Sequence, residues 1–344
     1  LTKQFELNER ERAVLAVLID HYIRTAEPVG SRVIATRFNL GVSPATVRNT
    51  LADLEDRGLV EQPHTSAGRI PTEVGYRLYV DHLLKSERLA KSDREKIKRL
   101  LSIDYGAVED VLDQTARVLA QVSSQLGVTV LPKFENAVLT KIDLIPVTDT
   151  KMMVIIAVRS GFVRTLLVEV DAHVDPDSLK DTVQILNEKL CGLALGEIRN
   201  TINERLSGVS DGEPQLLKLF IDQKETLLDD TTASSIHTDG TTNIIAQKEF
   251  KDPEKLREFL SLLEERKSLV YLLKDKSLPE EINVTIGTES NIGGLKDFSA
   301  VIKTYKVGQT RGSIGIIGPT RMEYAKLISV VDYTAKILSE ILSR

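Results

Sequence analysis

Between Ser43 and Gly58 both ends of a helix are written into one run, SPATVRNTLADLEDRG, and this fixes the geometry of the chain around it. Serine accepts a hydrogen bond from an unpaired N–H at a helix start, and proline suits the first helical position because it has no N–H to leave unpaired. Gly58 supplies the left-handed stop. Within those limits Val47, Leu51 and Leu54 recur at i, i+4 and i+7 and form one face to be buried. At ~100° per residue, Ala45, Asn49 and Ala52 point the opposite way, flanked by Thr46 and Arg48. That outer face is small and polar at its leading end, so it can approach another surface closely.

The neighbouring segments give this helix a setting. Asn8 followed by Glu11 is a capping-box pattern, after which Val14, Leu15, Leu18 and Tyr22, with Val17 and Ile19, make an apolar helical stripe. Pro28 and Gly30 interrupt the chain. A short helix is expected from about Ser31 to Phe38, burying Val33, Ile34 and Phe38 and ending at Asn39 and Gly41. After the third helix come LVE, the polar stretch EQPHTSAGRIPT (61–72) and a new helix, TEVGYRLYVDHLL, opened by the spacing Thr72-x-x-Gly75. Helix, short helix, tight turn and a third helix with a polar leading edge describe a helix-turn-helix; two short strands around a polar loop add a wing.

These residue types suit the reading of DNA. Asn49 can pair bidentately with adenine, Arg48 with guanine or a phosphate, and the Thr46 methyl can touch thymine. Ser43 and the helix N-terminus offer donors to a phosphate. In the wing, Thr65, Ser66 and the backbone near Gly68 can hold phosphates, while Arg69 or His64 can enter the minor groove. The expected contacts are therefore Ser43, Thr46, Arg48 and Asn49 from the helix and His64, Thr65, Ser66 and Arg69 from the wing. The competing reading of each is a solvated surface residue, His64 above all.

The run SPATVRNTLADLEDRGLVEQPHTSAGRIPTEVGYRLYVD resembles the N-terminal signature of the HrcA family, the bacterial heat-inducible transcription repressors. GSIGIIGPTRMEY (Gly312–Tyr324) resembles that family's C-terminal signature, so the resemblance extends over the whole chain. It implies an α+β multidomain fold: an N-terminal winged helix-turn-helix, then a GAF-like mixed α/β domain carrying an inserted dimerising domain. The corresponding boundaries are 1–84 for the winged helix, 85–103 for a basic linker helix, 104–195 and 250–344 for the two parts of the GAF-like domain, and 196–249 for the insertion. It also implies a homodimer that binds double-stranded operator DNA, an inverted repeat called CIRCE upstream of chaperone operons of the groE and dnaK type. The chaperonin GroEL is implied as a partner that keeps the repressor competent until heat-damaged clients occupy it. No cofactor is implied.

Composition sets the outer bounds. At 344 residues the chain exceeds one ordinary core, since domains run to roughly 150 residues, and its 42% hydrophobic and 28% charged residues are a globular mixture. No stretch approaches the ~20 apolar residues of a membrane helix, so no membrane association is expected. The start, LTKQFELNERER, lacks the apolar region of a secretory signal. Cys191 is the single cysteine, so no intramolecular disulfide can form, and a cytoplasmic location is expected. The net charge of −5 hides local basic stretches: Arg32, Arg37 and Arg48 with no acid between Pro28 and Ala52, and seven cations against three acids in 85–99. The second is either a small anionic contact surface or a solvated connecting helix.

Further along, a helix is expected over 103–125, an antiparallel meander over 137–145, 151–158 and 162–170, and a helix from Asp175-Pro176 to about Leu190. Residues 200–249 are polar, with SGVSDGEP and DDTTASS as loop-like stretches and Asp239-Gly240 as a hairpin signal. A helix at DPEKLREFLSLLEE, strands near 269–273, 282–287, 299–307 and 313–317, and a final helix over 321–342 complete one mixed sheet interrupted by an insertion.

Enzyme readings find little support. Gly312, Gly315 and Gly318 have neither dinucleotide nor P-loop spacing and are expected to let a strand turn sharply into the last helix. The five histidines lack metal-type spacing, and His64 beside Ser66 has no third group to orient it. Two other classes stay open on the residues alone: a regulator gated by a small effector in the GAF-like domain, and an RNA-binding winged helix, which only the family resemblance sets aside.

Overall fold

The computed structural model describes residues 6–37, 41–65, 67–84, 87–102, 108–132, 134–159, 163–170, 174–209, 212–228, 236–274, 281–290, 296–308 and 310–343. Ser66, Phe38, Asn39, the DDTTASS loop (229–235) and the first residues of the expected helix over 103–125 lie outside these.

The capping box forms at the start of α1 (Glu9–Thr25): the Asn8 N–H donates to the Glu11 carboxylate (2.8 Å) and the Glu11 N–H to Asn8 Oδ1 (3.0 Å). Val14, Leu15, Leu18 and Ile19 are buried, while Tyr22 is half-buried. With α2 (Ser31–Arg37) and α3 (Pro44–Asp56) this stripe builds the core of the winged helix, to which α3 contributes Val47, Leu51 and Leu54. Gly58, at φ +70°, ends α3 as the sequence requires. The wing strands β1 (Val60–Glu61) and β2 (Ile70–Pro71) pair antiparallel, with Val60 opposite Pro71. Thr72 caps α4 (Glu73–Leu78) by accepting from the Gly75 N–H (3.1 Å) and itself donates to the Gly58 carbonyl (2.7 Å). A Cβ at position 75 would lie 2.1 Å from the Leu59 carbonyl oxygen, so glycine is what lets α4 lie against the chain entering the wing.

The second half is built on an antiparallel sheet in the order β7-β3-β10-β9-β8, formed by β3 (Leu126–Val130), β7 (Ile236–Asp239), β8 (Asn283–Ile286), β9 (Phe298–Val307) and β10 (Thr310–Pro319). Both faces are covered. Val301, Ile314 and Ile316 join a core with α6 (Val108–Ser123) and α14 (Tyr324–Leu342); Val128, Val130, Ala300 and Ile302 join another with Phe250 and Phe259. The basic helix α5 (Lys91–Leu101) buries Ile97 and Leu101 on α6 and α14 and leaves Lys91 in solvent, which is the connecting-helix reading.

In several places the structure departs from the sequence reading. The meander forms from β4 (Leu139–Thr148), β5 (Lys151–Val158) and β6 (Val163–Glu169), but as its own three-stranded sheet rather than part of one mixed sheet. Its strands are buried on one face only: Met152, Val154, Ile156 and Val158 point inward along β5. The Asn187 side chain of α7 (Pro176–Leu190) then pins β4 by exchanging two 2.8 Å hydrogen bonds with the Ile142 backbone. The helices α8 (Leu195–Leu206), α9 (Pro214–Asp222) and α10 (Lys224–Leu228) fill much of the polar stretch on either side of the loop-like SGVSDGEP, helices that its polarity does not announce. Asp239-Gly240 makes no hairpin, because β7 finds its partner in distant β3 and Gly240, at φ +93°, turns the chain into α11 (Thr241–Ile245). After α12 (Pro253–Glu264), residues 269–273 form part of a helix, α13 (Arg266–Lys274): Leu269, Leu272 and Leu273 are buried at i, i+3 and i+4, a helical period. Gly312 and Gly315 lie inside β10, whereas Gly318 is its last residue but one, where a Cβ would meet Gln125 and the Met322 sulfur of the turn into α14. A Cβ at 312 would meet the Tyr305 ring at 2.3 Å, so that glycine makes room for a cross-strand aromatic.

Candidate nucleic-acid interface

The outward edge of α3 is the site's centre. Ser43 caps the helix by accepting from the Thr46 N–H (3.1 Å), and its hydroxyl also shares a 2.9 Å hydrogen bond with Thr46 Oγ1. Both hydroxyls are thereby committed to the helix end, and Thr46 is half-buried at the rim of the face. Arg48 and Asn49 are exposed beside the small Ala45 and Ala52, with no hydrogen bond or ion pair from their side chains to another described residue. Toward its C-terminus the helix carries Asp53, Glu55 and Asp56. The helix N-terminal charge and Arg48 therefore make the leading end the one that an anionic backbone attracts. On α2, next to this edge, Arg32 and Arg37 are also exposed; in helix-turn-helix proteins that helix crosses the phosphate backbone.

The wing is fastened by a residue the sequence reading passed over. The Gln62 side-chain amide donates to the carbonyls of Thr65 and Ala67, 3.0 Å each, and the Ala67 N–H donates to the His64 carbonyl (2.8 Å). This holds His64 and Thr65 exposed at the wing tip. Arg69 does not reach outward as expected. Its backbone bridges to Val29 in both directions (2.9 and 3.0 Å), and its guanidinium grips Glu55 of α3 through Nη2 (2.6 Å) and Nε (2.9 Å). The side chain is 21% exposed, so Arg69 ties the base of the wing to the third helix. The partner lies 14 residues back on another element, where no local sequence signal announces it.

The winged helix is clamped to the rest of the chain. Ile23 and Thr25 lie in the last turn of α1, where carbonyls lack intrahelical partners. Arg321 Nη1 donates to the Ile23 carbonyl (2.5 Å) and Lys248 Nζ to the Thr25 carbonyl (2.8 Å). The same Arg321 holds Glu249 bidentately at 2.6 and 3.1 Å. Burial opposes the ionisation of Glu249, but the hydrogen bonds and charge of Arg321 outweigh it and keep the carboxyl below its ordinary range. A second clamp joins Arg77 of α4 to Glu289 and to the Val284 carbonyl (2.6 Å). Between the clamps the rings of Tyr76 and Tyr324 pack at 6.0 Å. The reading edge is thus oriented by contacts far from it.

Among the described residues no group of three or more His, Cys, Asp or Glu side chains is placed to hold a metal, and no helix is long and apolar enough to cross a membrane.

Comparison with known proteins agrees with this geometry. Residues 6–87 match the family described as "Winged helix-turn-helix transcription repressor, HrcA DNA-binding", and residues 109–328 match "HrcA protein C terminal domain". The heat-inducible transcription repressor HrcA of Chlorobium phaeobacteroides (strain BS1) is 38% identical, covering 98% of this chain and 99% of the relative. That of Halalkalibacterium halodurans is 37% identical, with 98% of each chain covered. A crystal structure described as that of a hypothetical protein superposes with a TM-score of 0.65 at 26% identity, over 98% of this chain and 99% of the other.

Proposed function

The chain belongs to the HrcA family of winged-helix transcription repressors, and from that premise we propose that it represses chaperone operons of the groE and dnaK type by binding an inverted-repeat operator of the CIRCE kind. The observation that carries the reading is the free, small-and-polar leading edge of α3, with Arg48 and Asn49 exposed on a capped helix. Arg48 and Asn49 read base edges, Ser43 and Thr46 present the helix N-terminus to a phosphate, and Arg32 and Arg37 add phosphate contacts. His64 and Thr65 at the wing tip meet the backbone, Ser66 is proposed as a further phosphate contact, and Arg69 acts behind them as a positioning residue. A cytoplasmic location and modulation by GroEL belong to the same proposal.

An inverted repeat calls for a two-fold dimer with one reading head per half-site. The sheet β4-β5-β6 supports one. Its outer face aligns Ile145, Met153 and Leu167 in one cross-strand row and Ala157 and Val163 in another. Ile145, Val163 and Leu167 are 44%, 58% and 57% exposed. Apolar side chains in register on an open sheet face suit a self-complementary contact with a second copy. We accordingly take the inserted dimerising unit to run from the end of β3 to the start of β7, neighbouring strands between which the chain makes its long excursion.

The test is a salt-controlled binding titration against an inverted-repeat duplex. Arg48→Ala and Asn49→Ala should each lose about 1–3 kcal/mol of operator discrimination with the fold intact. Binding unchanged by both would refute the assignment of α3 as the reading helix, and preference for single-stranded RNA would refute the DNA reading itself.

A further inference from the structure

Beside the Arg321–Glu249 clamp, a cavity of about 570 Å³ opens between the winged helix and the sheet domain. Its wall is polar and comes from both sides of the junction: Arg24 from α1, Gln125 from the turn before β3, Asn243 and Gln247 from the α11 segment, and Arg321 and Lys326 around the start of α14. The amides are held in place. Asn243 Nδ2 donates to the carbonyls of Ala120 and Gln125, 3.2 Å each, and Gln247 Nε2 donates to Gln125 Oε1 (2.8 Å). Those bonds leave Asn243 Oδ1, Gln247 Oε1 and the Gln125 amide donors uncommitted.

The charges are less well matched. Arg321 is neutralised by Glu249, but Arg24 and Lys326 make no hydrogen bond or ion pair with any described residue. The opposing charge on the wall is Glu323, which is exposed. On the wall itself Arg24 and Lys326 outnumber the one solvated carboxylate, Glu323, and fixed amide groups lie beside them. Such a lining, concave with a few convergent polar groups, is what a small charged ligand requires.

We propose that this cavity binds a small molecule through a compact anionic group, phosphate or carboxylate, held between Arg24 of the winged helix and Lys326 of α14, with the Gln125, Asn243 and Gln247 amides bonding its polar remainder. The site is separate from the DNA-reading edge. A ligand there bridges the two bodies whose mutual orientation sets where that edge points.

The full chain is titrated with inorganic phosphate and with acetate at matched ionic strength against chloride, by calorimetry. Saturable binding of either anion beyond chloride is expected, weakened at least about tenfold by Arg24→Ala and by Lys326→Ala, the loss of a charge-assisted hydrogen bond. Lys326→Arg should retain it. Circular dichroism checks the fold of each variant, and Arg24, exposed on α1, gives a substitution that the core does not feel. Phosphate alone, acetate alone or both would identify the anionic group. No saturable difference from chloride, or binding that survives both alanine variants, overturns the proposal. Binding lost in Arg48→Ala but kept in the other two overturns it as well, since the anion would then sit on the reading edge.

Discussion

Replacing Arg69 separates two accounts of the wing. If Arg69 touched DNA directly, its loss would remove a phosphate or groove contact and Glu55 would not matter to that loss. The structure pairs it with Glu55 at 2.6 and 2.9 Å, the side chains being 21% and 33% exposed. A partly screened pair of this kind holds the wing to α3 with about 1 kcal/mol. Arg69→Ala also uncovers the Glu55 carboxylate on the helix proposed to lie against phosphates. Two phosphates at ~8 Å repel it by about 0.5 kcal/mol each in water. The two effects sum to about 2 kcal/mol, or roughly thirtyfold in operator affinity, uniform across operator sequences. The measurement is a double-mutant cycle of Arg69→Ala and Glu55→Gln, read both as urea stability and as anisotropy of a labelled duplex. A coupling of about 1 kcal/mol is expected in each readout. Additive effects on DNA binding, with zero coupling, would show that Arg69 contacts DNA on its own and would refute the positioning role.

Three further outcomes follow from the same contacts. Arg321→Ala removes the three hydrogen bonds to Glu249 and Ile23 and leaves a carboxylate only 23% exposed without its partner, which should cost about 2–3 kcal/mol and raise hydrogen exchange at the end of α1; unchanged exchange there would show that the clamp does not hold the winged helix. Because the Glu249 carboxyl is lowered in the folded chain, its contribution is complete above its ordinary value of 4.5 and is lost as pH falls through the lower folded value, so acid should loosen the junction, and Glu249→Gln should flatten that dependence in pH-resolved urea titrations. Leu167→Glu, on the open face of β6, should shift the proposed dimer toward monomer in sedimentation while leaving the circular dichroism spectrum unaltered; a dimer equally tight would move the self-contact elsewhere.

What the sequence makes legible is what adjacent residues decide. The Asn8–Glu11 box, the Ser43-Pro44 start and Gly58 stop of α3, and the Thr72–Gly75 cap all act within four residues or at one φ angle, and all form. The exposed edge of α3 follows from the same periodicity, so Arg48 and Asn49 stand where the pattern puts them. Partners supplied by other elements are a different matter. Glu55 turns Arg69 inward, and Gln62 fastens the wing through carbonyls that carry no side-chain signature. β3 escapes notice because no Pro or Gly separates LGVTV from α6 and Gly127 interrupts its apolar run; Ser124, at φ +55°, makes the turn. The insertion boundaries 196–249, taken from the family resemblance, begin inside α8 and include β7, a strand of the main sheet. A sharper signal was present in burial pattern: β5 alternates and belongs to a one-sided sheet, whereas β10 is nearly continuous and sits between two layers.

The two signature segments, about 250 residues apart in sequence, meet in the fold, and this gives the C-terminal one a physical task. Arg321 of GPTRMEY supplies the donor that α1 lacks at its last turn, and Tyr324 packs its ring on Tyr76 of the segment GYRLYVD. A dimer reads an inverted repeat only if its two heads are held at the half-site spacing, because each head alone gains too little to order the other. Head orientation is fixed by buried apolar contacts such as Tyr76 on Tyr324 together with ionised, partly hydrated groups beside a cavity. The ionised part of that joint is the part that charge, acid or a bound anion acts on. Regulation of operator affinity can therefore act at Arg321 and its neighbours without any change at Arg48 or Asn49.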